Sequence, residues 1–198
     1  MFYDAVKNDH GFQFDPFRAV VAPRPVAWIS TLSADGIANL APYSFFNAFA
    51  EAPHYVAFGS SGYKHTLANI GQRKEFAVNL VSHDLREAMN ATSGSVAAHV
   101  DEFSLAGLSK VPCEFIGVPR VGESPVTLEC RHFQTVDLPD DEGRVDDFLV
   151  IGRVLGVHIA DQFVADGRVN TAAMQLISRL GYSEYATISD AWRMRRPS

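Results

Sequence analysis

The sequence predicts a mainly β protein, an antiparallel barrel with short peripheral helices. Apolar runs follow one another between turn residues without regular alternation of strand and helix, which disfavours a doubly wound parallel sheet. Two long strand-like runs, Val126 to Leu138 and Asp147 to Ala160, flank the acidic turn Pro139-Asp140-Asp141-Glu142-Gly143. The helical patterns between the runs are all short. Nearly half of the 198 residues are apolar and 20% are charged, the balance of one compact domain over 1–198, with a C-terminal extension from about residue 165.

In chain order, residues 1–22 form an entry segment in which Pro16 prevents a long helix. Pro23 and Pro25 keep the next stretch extended, at a strand's beginning or edge. The runs Val26 to Leu32 and Ile37 to Phe46 around Ala34-Asp35-Gly36 read as a hairpin. Trp28, Ser30 and Leu32 share one strand face, Ile29 and Thr31 the other, so a ligand meets only one of the two hydroxyls directly. A third run, Tyr55 to Gly59, leads into Ser60-Ser61-Gly62-Tyr63-Lys64-His65-Thr66. Thr66 to Arg73 is a short helix with Thr66 or His65 as its expected N-cap. Glu75 to Val81 is a strand, and Asp84 to Asn90 and Asp101 to Leu108 are short helices. Val111 to Val121 is loop-rich. Gly152 and Gly156 allow a bend or a close backbone approach in the last long strand, and Ala172 to Leu180 is expected to be helical.

Composition excludes several functions. With net charge -6 and no long basic run before the last few residues, nucleic acid and anionic membrane are poor partners. No apolar run approaches the ~20 residues that span a bilayer, and the polar start MFYDAVKNDHG does not read as a signal peptide. Cys113 and Cys130 make no metal-type pair, and a reduced, cytoplasmic setting is the simpler expectation. The seven histidines are dispersed, so neither a zinc site nor any other metal is expected. G-x-G-x-x-G after a strand, the P-loop, H-E-x-x-H and G-x-S-x-G are all absent.

Two stretches retain chemistry. Lys64-His65-Thr66 opens a helix, where free N–H groups, the positive dipole end and a lysine together suit a phosphate. In Asn39-Leu40-Ala41-Pro42-Tyr43-Ser44-Phe45-Phe46, Pro42 breaks the ladder and leaves backbone groups free, while Asn39 and Ser44 donate and accept.

The ordered set PRPVAWIST, DGIANLAPYSFF, P-x-x-x-x-F, K-H-T-L-x-N-I and EFAVNLV resembles the flavin reductase-like, FMN-binding split-barrel family. The likeness continues through DEFSLAGL, ESPVTLEC, FLVIGRVLGVHI and RLGYSEYA, and so covers nearly the whole chain. It implies a six-stranded antiparallel Greek-key barrel that forms a homodimer and holds FMN noncovalently at or near the subunit interface. It further implies that Ser30, Thr31 and Leu32, then Asn39, Ala41, Tyr43, Ser44, Phe45 and Phe46, face the flavin. The phosphate segment maps onto Ser60, Lys64, His65 and Thr66, where many members carry Asp in place of His65. Arg179, Gly181 and Tyr185 match the family's R-L-G-x-x-x-Y element, with an interface role, a flavin-covering role or plain packing as its alternatives. His158 is read as structural, or as reaching a flavin or nicotinamide across the dimer.

The implied activity is transfer of a hydride from NADH or NADPH to flavin N5, with no catalytic side chain required and a flavin-dependent monooxygenase as a partner. An FMN electron carrier of flavoredoxin type and a non-catalytic ligand-binding module are the alternatives.

Overall fold

The computed structural model describes residues 1–197. Seven strands make one antiparallel sheet: β1 (Ala27–Leu32), β2 (Ala38–Tyr43), β3 (Phe46–Glu51), β4 (His54–Ser61), β5 (Glu75–Leu80), β6 (Val126–Pro139) and β7 (Val145–Ile159), in the order β2-β1-β5-β6-β7-β4-β3. The seventh strand arises because the apolar run from Ile37 splits. It ends as β2 at Tyr43, and after Ser44 and Phe45 the chain starts β3 on the opposite edge of the sheet. So short a link between opposite edges curls the sheet into a barrel, open where the link runs.

The hairpin expected at Ala34-Asp35-Gly36 is present. Ser33 N bonds to Ile37 O at 2.9 Å, and Gly36 takes a φ of 83° that favours glycine. The long hairpin β6–β7 carries register shifts at Val145/Asp147, Ile151/Gly152 and Val154/Gly156, which let its two strands bend around the core.

Four short α-helices sit around the barrel: α1 (Phe17–Val20), α2 (His65–Arg73), α3 (Arg86–Ala91) and α4 (Glu102–Leu105). Helix α2 turns Leu67 and Ile70 into the barrel core, against Ala27, Ile29, Phe58, Phe76 and Val150. Opposite faces of the same strands feed a second core. There Trp28 and Leu40 meet Met89 of α3 and Phe103 of α4, and Trp28 Nε1 donates to Thr92 Oγ1 at 2.8 Å. Each such fully buried large side chain contributes about 1.5–3 kcal/mol.

Between the cores lies a buried polar knot. Asn79 Nδ2 donates to Trp28 O (2.9 Å) and Ser30 Oγ (3.2 Å), while its Oδ1 accepts from Val121 N (2.9 Å) and Thr127 Oγ1 (3.0 Å). All four capacities of the amide are satisfied, so its burial costs little and it ties β1, β5, β6 and the 119–121 segment together.

Two sequence expectations are corrected. The N-cap of α2 is Lys64, in extended conformation, and not Thr66 or His65; Thr66 lies inside the first turn, where its Oγ1 accepts from Asn39 Nδ2 at 3.2 Å. Ala172 to Leu180 is not a helix. A single 3₁₀ turn (Ala172–Met174) ends at Gln175 with φ 47°, and the chain continues as β8 (Ile177–Arg179). Strand β8 pairs with Arg24–Pro25 on one side and with β9 (Tyr185–Thr187) on the other, so available ladder partners overrode local helical patterning. Among the described residues no helix is long and apolar enough to cross a membrane.

Gly152 is dictated by packing, since a Cβ there would lie 2.3 Å from the Phe76 ring and 3.2 Å from Cys130 Cβ. Gly152→Ala should therefore lower unfolding free energy by about 1–3 kcal/mol through overpacking. Denaturant titration reads this, and an unchanged midpoint would show that the core yields at this point.

Candidate functional site

Two concavities meet at the open seam of the barrel, and Ser61 lines both. The smaller, of about 360 Å³, lies over the N-terminus of α2; Asn39, Ala41 and Tyr43 of β2, together with Lys64, His65 and Thr66, form one side. The larger, of about 1030 Å³, takes Phe45, Phe46 and Ser60 together with Arg24, Phe49 and Phe148.

Helix α2 is aimed by two side-chain bonds to the first hairpin. Asn69 Nδ2 donates to Thr31 Oγ1 (3.0 Å), and Asn39 Nδ2 donates to Thr66 Oγ1. Its first turn carries no side-chain cap, and the backbone ladder begins only with Ala68 N on Lys64 O at 3.1 Å. Amides of the first turn therefore point toward the smaller cavity without a helical partner, beside an exposed lysine and histidine. Tyr43 adds a further group in search of a partner. Its hydroxyl is buried and makes no well-aligned hydrogen bond, with the Thr66 and Ser60 hydroxyls close by, and burial pushes its pKa above the usual phenol value against the pull of those two neighbours. An unpaired buried hydroxyl costs about 1–3 kcal/mol, which a ligand accepting its proton would relieve.

The predicted residues thus divide. Asn39, Ala41, Tyr43, Lys64, His65 and Thr66 come together around the smaller cavity. Phe45, Phe46 and Ser60 come together around the larger, with Ser60 Oγ donating to Gly62 O at 3.1 Å and Phe45 O accepting from Gly59 N at 2.7 Å. Ser44 is half-buried in the link between β2 and β3. Ser30, Thr31 and Leu32 line neither cavity. Ser30 is wholly buried and donates to Pro119 O at 2.7 Å, Thr31 is wholly buried under Asn69, and half-buried Leu32 packs on the outer core.

His158 contacts Glu129 at the far end of β7, away from both cavities. Arg179 donates to Tyr182 O and lies 4.5 Å over the Tyr185 ring, within the β8–β9 hairpin. Gly181 abuts α1, where a Cβ would lie 2.5 Å from Ala19 Cβ. The R-L-G-x-x-x-Y element therefore forms a hairpin held by Arg179 and seated on α1 at Gly181, with Tyr182 and Tyr185 exposed.

Sequence reading missed the other side of the smaller cavity, formed by Thr92 to Val96 and Glu102. The small polar run Ser93-Gly94-Ser95 was its only signal. Buried Glu102 accepts Leu40 N at 3.1 Å; burial raises its pKa above the usual carboxylate value, against the pull of that amide and of nearby His65.

Because the folded chain keeps the Glu102 proton at pH values where the unfolded chain releases it, stability falls as pH rises from the ordinary glutamate range through the raised folded value. Glu102→Gln retains an acceptor for Leu40 N and removes that titration. Its melting temperature should gain on the wild type across this window, whereas a pH-independent offset would contradict the assignment.

A sequence profile described as "Flavin reductase like domain" matches residues 19–173. An uncharacterized protein of Halalkalibacterium halodurans is 32% identical over 183 residues, covering 90% of this chain and 88% of its own length. The crystal structure of nitrilotriacetate monooxygenase component B from Bacillus cereus superposes with a TM-score of 0.88 at 27% identity, covering 98% of each chain. That of a Pseudomonas fluorescens 2-nitrobenzoate 2-nitroreductase also reaches 0.88, at 26% identity, covering 100% of this chain and 97% of the other.

Proposed function

The chain belongs to the flavin reductase-like family, and from that premise we propose that it binds FMN noncovalently and works as an NAD(P)H:flavin oxidoreductase. The observation that carries this reading is the convergence of Lys64, the uncapped start of α2 and the unpartnered Tyr43 hydroxyl on one small cavity. That donor set fits a phosphate and its ribityl chain. Lys64, His65, Thr66 and the first-turn amides hold the phosphate, and Tyr43 donates to an oxygen of the bound molecule. Ala41, Ser44, Phe45, Phe46 and Ser60 form the bed for the ring, along the seam between the two cavities. Asn39, Ser30 and Thr31 act from behind, Asn39 and Thr31 by keeping α2 in position and Ser30 by keeping β1 in place.

When bound, the flavin supplies the redox step by accepting a hydride at N5 from nicotinamide C4. What this chain contributes is orientation and exclusion of water, and no side-chain acid or base is needed. Exposed Phe45 and Phe49 in the larger cleft offer an apolar bed for a nicotinamide ring or a second subunit, which supports a homodimer. The relative named as a monooxygenase component supports delivery of reduced flavin to a monooxygenase, with NADH and NADPH both open as donors.

Purified protein should be yellow and should oxidise NADH or NADPH when FMN is supplied. Colourless protein without flavin affinity overturns the reading, and bound flavin without nicotinamide turnover replaces the reductase with an electron carrier. Lys64→Ala combined with Thr66→Ala should weaken FMN about 100-fold by removing charge-assisted phosphate contacts, while leaving riboflavin affinity essentially unchanged. Equal losses for both ligands in a fluorescence titration would move the phosphate elsewhere.

A further inference from the structure

Three metal-ligand side chains, dispersed in the sequence, meet at the far end of the barrel. A Sγ of Cys113, a carboxylate oxygen of Glu129 and a ring nitrogen of His158 lie within 4.8 Å of one another. Glu129 projects from β6 and His158 from β7, while Cys113 belongs to the loop before Ile116. His158 stands ten residues along β7 from Phe148 of the cleft, roughly 33 Å of strand. The cluster is therefore separate from the site described above.

Its geometry is built rather than incidental. Glu129 is wholly buried, and its carboxylate accepts Glu114 N (2.7 Å), Phe115 N (2.6 Å) and His158 Nε2, which fixes both oxygens. The register shift at Val154/Gly156 brings glycine backbone alongside, where a Cβ would lie 2.9 Å from the Phe115 ring and 3.4 Å from Glu129 Cδ. Cys113 and His158 are half-buried, so the cluster has an entrance. Glu114 and Arg120 are its charged neighbours. Two carboxylates against one guanidinium leave one negative charge while Cys113 keeps its proton, and loss of that proton to the metal brings the total to the two that a divalent ion balances.

We propose that Cys113, Glu129 and His158 bind a divalent transition metal of the zinc class. Sulfur, imidazole and carboxylate together suit zinc or cobalt and not the oxygen-seeking magnesium or calcium. The ion takes the place of the proton between His158 and Glu129. Metal–sulfur, metal–nitrogen and metal–oxygen bonds form, the Cys113 S–H bond breaks with its proton passing to water, the proton held between His158 Nε2 and Glu129 is likewise given up to water, and the imidazole carries one proton on Nδ1. No oxidation state changes. Three protein ligands leave the fourth position to a water, and the ion pins the 113–116 loop to the β6–β7 hairpin.

The test uses the full chain, treated with chelator and titrated with Co²⁺, read as a difference spectrum so that any flavin absorbance cancels. One Co²⁺ per chain with a thiolate-to-cobalt charge-transfer band is expected, and Zn²⁺ should displace it and raise the melting temperature. Cys113→Ser should abolish the band, and His158→Gln should weaken Co²⁺ by about 100-fold, at or beyond the loss typical of an outer-shell partner. Both positions are half-buried, and circular dichroism of each variant serves as the check that it folds. No band, a band that survives Cys113→Ser, or equal affinity in His158→Gln would reduce the cluster to a Glu129–His158 hydrogen bond and overturn the proposal.

Discussion

Two residues, Ser44 and Phe45, join strands that lie at opposite edges of a seven-stranded sheet. Three Cα steps reach at most about 11 Å. In a flat sheet, six interstrand spacings would hold the same edges about 29 Å apart. The sheet therefore has to curl until the end of β2 meets the start of β3, and Tyr43 of β2 packs against Phe58 of β4 with ring centroids 4.7 Å apart. Closure stops there, because β2 and β3 share no ladder. The resulting seam leaves the outer edges of β2 and β3 without a strand partner, and both cavities lie beside it.

On the proposed reading, a cofactor bound at the seam needs a donor group aimed at it, and α2 has the placement to supply one. Leu67 and Ile70 anchor the helix in the core, while Asn69 and Asn39 hold it to the first hairpin through Thr31 and Thr66. Rotation of the helix would break both bonds and expose both apolar side chains, so the direction of its N-terminus is set by packing. The surrounding charges are mixed. Lys64 and the helix start favour an anion, whereas Glu102 disfavours one when ionised, and its burial keeps it protonated over a wider pH range. The Tyr43 hydroxyl, buried at the cavity without a well-aligned partner, does nothing for the isolated chain's stability and is consistent with the proposed ligand.

Order along the chain was enough to read six of the seven sheet strands, the first hairpin and the acidic turn, because alternation and turn residues act over a few neighbours; β3 was missed, since its start was read as the end of the run from Ile37. It also located the helix start at Lys64-His65-Thr66, which is a local event, whereas Pro42, expected to break the ladder, sits within edge strand β2 opposite Trp28, and the break comes after Tyr43. It misassigned Ala172 to Leu180, where the apolar spacing fits a helix and only the free edge at Arg24–Pro25 turns the segment into a strand. Ser30 and Thr31 show the same limit. Their hydroxyls looked ready for a ligand, yet Asn79 and Asn69, from β5 and α2, take them up inside the protein.

By itself, then, the sequence determined the antiparallel β character, the short helices, the kinship with flavin reductases and the segment at the start of α2. Each of these rests on contacts between near neighbours in the chain or on an ordered string of motifs. Tertiary structure alone decided which hydroxyls are left free, that Glu102 and the Thr92–Val96 loop close the smaller cavity, and that Cys113, Glu129 and His158 meet. Those outcomes depend on how far a sheet curls and where its bulges fall, and such distances are fixed by packing between residues that no local pattern connects.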